Sequence, residues 1–128
     1  MSSIAWIFSR SASRVALVFV LLTVIALSLY PRPESLLGPL SVYDKVEHFA
    51  AYAVLAFFAL RVFPRENLPL LVLSALSCAA IGGVIELVQP LVGRHKDVYD
   101  FLVDLGGSVT GAALSFVLLR RGYNGPHR

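Results

Sequence analysis

Asp44, Lys45, His48 and Tyr52 fall in one short stretch of this chain, and Glu86, Gln89, Arg94, Asp97, Asp100 and Asp104 in another. Carboxylates and a histidine are enough for acid–base work or for ligating a metal, with His48 or Glu86 as base and Asp100 or Asp104 as acid or ligand. Glu86 and Asp104 call for an explanation first, because both lie inside apolar runs otherwise almost free of charge. A carboxylate near the centre of a membrane helix costs roughly 2.5 to 3.5 kcal/mol on the insertion scale. Such groups need partners inside a helix bundle. Two ionised carboxylates in a low-dielectric layer also repel, so the pair is expected to sit close and to share a proton.

The elements that must position these groups are apolar segments. The 128 residues are 57% hydrophobic and only 15% charged, and the mean hydropathy is +0.75. That composition excludes a soluble domain and points to an integral membrane protein. Four runs, 15–30, 46–63, 68–92 and 98–119, approach or reach the length that crosses about 30 Å of hydrocarbon as a helix. The expected fold is therefore an all-α membrane protein, a four-transmembrane-helix bundle. Residues 1–14 form a cytoplasmic N-terminus, 15–119 the membrane domain and 120–128 a cytoplasmic tail. Arg10 and Arg14 before the first run, with Ala26-x-Ser28 inside it, resemble a signal peptide. We read the run as a retained span. Cys78 is the single cysteine, so no intramolecular disulfide forms and a packing role is expected.

Charge sets the orientation. Arg10, Arg14, Arg61, Arg65, Arg120, Arg121 and Arg128 fall on one side of the four-span arrangement, and Arg32, Lys45, Arg94 and Lys96 on the other. The arginine-rich side is expected to be cytoplasmic, with both termini. Glu34, Asp44, Glu47, Glu86, Asp97, Asp100 and Asp104 belong to the outer half, and Glu66 to the inner. No basic run alternates with aromatics, so no nucleic acid partner is expected.

Helical spacing gathers the polar groups on faces. Asp44, His48 and Tyr52 follow at i, i+4 and i+8, with Lys45 three residues before His48. Ser74, Cys78, Gly82 and Glu86 recur every four residues and Gln89 follows three later, while Asp97, Asp100, Asp104, Gly107, Gly111 and Ser115 share a third face. Gly82, Gly107 and Gly111 are expected to let helices approach closely. Counted from the outer ends of their segments, Tyr52, Glu86 and Asp104 share a layer about 9 Å deep. His48 and Gln89 are expected above it, and Asp44, Lys45, Arg94, His95, Lys96, Asp97 and Asp100 at the mouth of an outward-opening cleft.

The same residues carry a family pattern. DKVEHFAAYAVLA (44–56) and GVIELVQPLVGRHKDVYDFLVDLGGSVTGA (83–112) contain, in order, DKxxHFxxY, ExxQ, GR, DxxD and GxxxG. Over about residues 40–119 the chain resembles the VanZ-like family of small bacterial membrane proteins. It departs from the family at Asp104, where an Asn is usual. The resemblance implies a multi-pass protein of the bacterial inner (cytoplasmic) membrane, from a family associated with low-level resistance to glycopeptide antibiotics such as teicoplanin.

The leading expectation is a non-enzymatic cell-envelope protein that binds a lipid or lipid-linked headgroup in the cleft, with Arg94, His95 and Lys96 facing phosphate. Membrane lipids, a lipid-linked envelope precursor and a second copy of the chain are the expected partners. An intramembrane enzyme on such a substrate is one alternative, and a proton-linked carrier using Glu86 and Asp104 as relay is another. HxxxY and DxxDxxxD are weak metal patterns and there is no HExxH, so neither metal nor other cofactor is expected.

Overall fold

The computed structural model describes residues 9–31, 41–95 and 97–123. Among these the chain is all helical: α1 (Arg10–Leu29), α2 (Ser41–Arg61), α3 (Leu68–Val88), a short 3₁₀ turn (Gln89–Val92) and α4 (Val98–Tyr123). Local chemistry sets most of the ends. Ser9 caps α1 by accepting from the Ala12 N–H at 3.1 Å, and Asn67 caps α3 by accepting from the Leu70 N–H at 2.8 Å. Pro69 lies in the first turn of α3, where a missing N–H costs nothing.

The 68–92 segment, expected as one helix, changes character at its end. Pro90 has no N–H to give the Glu86 carbonyl, so the α-helical ladder stops and the chain tightens into the 3₁₀ turn. Gly93 closes that turn at φ 76°, a left-handed conformation suited to glycine.

Three helical stretches are long and apolar enough to cross a membrane: Arg10–Leu29, Leu68–Val92 and Val98–Gly122. α2 has 21 residues, about 31 Å at 1.5 Å per residue, but Asp44, Lys45 and Glu47 crowd its first turns and Arg61 ends it. Large apolar side chains point outward from the helices, Phe19 being 70% exposed. That is the surface expected where the surrounding solvent is lipid.

Packing is tightest between α2 and α4, which share the broadest interface. A methyl group added at Gly107 or Gly111 would strike the backbone carbonyls of Phe49 or Ala53, so the two main chains touch. The core around them is built of Tyr52, Leu55, Ala56, Ala75, Cys78, Ile85 and Ala112, with Val24 of α1 reaching in. Cys78 is thus a buried packing residue. α1 lies mainly against α2.

Candidate functional site

The N-terminal turns of α2 and α4 and the C-terminal turn of α3 meet at one end of the bundle, joined by ion pairs between residues far apart in sequence. Lys45 Nζ lies 3.1 Å from Asp97 Oδ2 and 3.1 Å from Asp100 Oδ1. Asp97 precedes the first residue of α4, and its Oδ1 accepts from the Tyr99 N–H at 2.8 Å. It is the helix cap, not a member of the α4 face as its spacing suggested. Between the α4 axis and Lys45, Asp97 is held at both oxygens. Burial alone would push its carboxyl up, but the Lys45 hydrogen bond and the Tyr99 N–H outweigh this and bring it below its ordinary value.

His48 lies one turn deeper. Its Nδ1 is 2.8 Å from Asp104 Oδ1; with Asp104 ionised and no ion bound, that nitrogen carries the hydrogen. Nε2 then faces a gap between Asp44 Oδ2, at 3.9 Å, and Asp100 Oδ2, at 4.0 Å. The Tyr52 ring stacks beneath, with centroids 6.4 Å apart and planes 10° from parallel. Glu86 Oε2 accepts from the Asp97 N–H at 3.2 Å. Glu86, Asp104 and Tyr52 are at most 3% exposed.

Here the geometry corrects the expected tiers. His48 meets Asp104 directly instead of sitting a level above it, since residue counting places Cα atoms while a His and an Asp side chain together span the missing turn. Asp104 thus supplies the carboxylate that meets His48.

Gln89 and Arg94 do something else. Gln89 Nε2 donates to the Ser28 carbonyl at 3.1 Å, and Arg94 Nη1 donates to the carbonyls of Leu27 at 3.0 Å and Ser28 at 2.8 Å. They satisfy the orphan carbonyls at the end of α1. Arg94 is therefore a strap on α1 before it is a phosphate ligand. His95 is exposed, and Lys96 and Glu34 lie outside the described residues, as does most of the 31–43 connection. Gly82 serves Asp104: a Cβ there would stand 2.6 Å from Asp104 Oδ2.

Beside the cluster, α1 and α2 enclose a groove of about 490 Å³. Phe19, Val24, Leu27, Ala51 and Val54 line its walls, and Asp44, Glu47, His48 and Arg94 its polar end. Sequence spacing had not indicated it. The one available sign was Ala50-Ala51, small residues on the α2 surface that leave room beside α1.

Chemically, His48 is an imidazole oriented by a buried carboxylate, the arrangement that suits a base, a proton shuttle or a metal ligand. Two sets of side chains bring donor atoms within 4.8 Å of one another: Asp44, His48 and Asp100, and His48, Glu86 and Asp104. Compared with protein-family models, with curated proteins and with solved structures, the chain finds no match.

Proposed function

We propose that this is a VanZ-like, four-span protein of the bacterial inner membrane, with both termini cytoplasmic, that binds a lipid or lipid-linked envelope precursor without transforming it. The observation that carries this is the groove between α1 and α2, apolar along its walls and charged at one end. Its volume lies in the range of ligand sites. A headgroup at the polar end meets Arg94, His48 and the acidic pair Asp44 and Glu47, while a chain lies along Phe19, Val24 and Val54. Glycopeptide resistance, in this proposal, follows from occupancy of an envelope lipid.

Native mass spectrometry of the detergent-purified protein tests it. The wild type should retain a phosphorus-containing lipid at near one per chain, and Ala51→Trp, which fills the groove, should lose it at least tenfold. Val117→Trp, on the outward surface of α4, should not. Equal retention by both variants would remove the groove from consideration.

A second possibility, an intramembrane enzyme, is favoured by one observation: His48 is held by Asp104 at Nδ1 while Nε2 points into a gap. Conversion of a lipid-linked precursor by the wild type, abolished in His48→Ala, would establish it over simple binding.

A further inference from the structure

We propose that His48, Glu86 and Asp104 hold a divalent cation between α2, α3 and α4. The three side chains come from three helices, and their donor atoms lie within 4.8 Å of one another. Around a first-row divalent ion nitrogen and oxygen donors stand about 2.0–2.2 Å away, so three donors spread evenly round it are roughly 3.8 Å apart. From the 4.8 Å limit the side chains close by about 1 Å to share an ion.

An acidic cluster alone would not support this, but two buried oxygens point the same way. Glu86 Oε1 and Asp104 Oδ2 have no hydrogen-bond partner among the described residues, though Glu86 is 3% and Asp104 1% exposed. Buried carboxylate oxygens without partners are costly and ask for a missing charge. The nearby cations are engaged elsewhere: Lys45 with Asp97 and Asp100, Arg94 with the α1 carbonyls. His48 faces the two carboxylates.

One divalent ion, taken by the Nδ1 lone pair of a neutral imidazole whose hydrogen is on Nε2 beside Asp44 and Asp100, balances them without importing protons. A donor set of one nitrogen and two carboxylates suits Mn²⁺, Fe²⁺ or Zn²⁺ better than soft or all-oxygen ions. Asp44 and Asp100 border the same imidazole, and His48 also lines the groove. The proposed ion thus shares His48 with the polar end of the groove. The site was not evident from sequence because its ligands are split between segments nearly forty residues apart, at spacings that match no metal motif.

The test uses no lipid, so its result is independent of the groove proposal. Full-length protein in detergent is stripped with chelator, dialysed and titrated with MnCl₂ while the paramagnetic resonance signal of free Mn²⁺ is followed, with Zn²⁺ examined by equilibrium dialysis. One ion per chain is expected, weakened at least tenfold by Glu86→Gln or Asp104→Asn and unchanged by Glu66→Gln at the opposite end. Electron spin-echo modulation from an imidazole nitrogen on bound Mn²⁺ is expected in the wild type, which covers the case in which a variant fails to fold. No uptake of either ion by folded wild type overturns the proposal, as does uptake that lacks the nitrogen coupling. Uptake that survives both substitutions does the same.

Discussion

Asp97 shows how much one side chain can settle. Oδ1 caps α4 and Oδ2 anchors Lys45, so a single carboxylate fixes the start of one helix against the start of another. Its folded value lies below the ordinary 3.8. The stabilisation is therefore fully present above that value and fades as pH falls through the lower folded one. Asp97→Asn keeps the cap, because Asn caps as well as Asp, and loses only the attraction to Lys45. The side chain is 41% exposed, so the difference should stay within about 1 kcal/mol. Thermal unfolding in detergent should show wild type ahead at pH 6 and the gap closing below about pH 4. A gap independent of pH would mean that Lys45 contributes nothing. The spacing of Asp44, Lys45 and His48 was readable from the sequence as one face of a helix. That Asp97 caps was not, because an acid just before a helix and an acid on its first face look alike until the first helical residue is known.

Among the elements, α2 and α4 form the frame on which the cluster is hung. Gly107 and Gly111 lie three and seven residues beyond Asp104, and the backbone they touch, at Phe49 and Ala53, begins one residue beyond His48. Gly111→Leu or Gly107→Leu should separate the helices and lower stability by at least about 1–3 kcal/mol, the usual range for overpacking. Gly122→Ala, with open space around it, should be neutral or slightly stabilising. Denaturation of the purified variants in detergent measures both, and a tolerated Gly111→Leu would show that the close contact is dispensable. The small-residue spacing of Gly107 and Gly111 announced a helix contact, but not its partner, since any helix fits a flat face. Gly82 carried the same sign and has a different use, giving room to Asp104. Only the tertiary arrangement separates the two.

For the whole molecule, the apolar runs marked the helices to within about five residues, and the scattered acids meet at one end of the bundle. What escaped was tertiary: the groove between α1 and α2 needs both helices in place, and the engagement of Gln89 and Arg94 with α1 leaves no trace in either segment's composition. The arginine bias carries a topology that is still to be tested. With Cys78→Ala as background, Ser3→Cys, His95→Cys and Pro126→Cys should be probed one at a time with an impermeant thiol reagent on intact cells. Residue 95 should label and residues 3 and 126 should label only after permeabilisation. The opposite pattern would invert the protein in the membrane.

The first helix is gripped by groups that recognise no side chain. Gln89 and Arg94 meet the carbonyls of Leu27 and Ser28, and every amino acid supplies a carbonyl. Its lipid-facing residues are thus free to vary, while its length up to those carbonyls is not. Removing one residue would turn the acceptors by about 100° and lift them by about 1.5 Å. Beyond Val24 in the core and Leu27 on the groove wall, constraint at this end of the helix is metrical: it is measured in the number of residues from Val24 to Ser28.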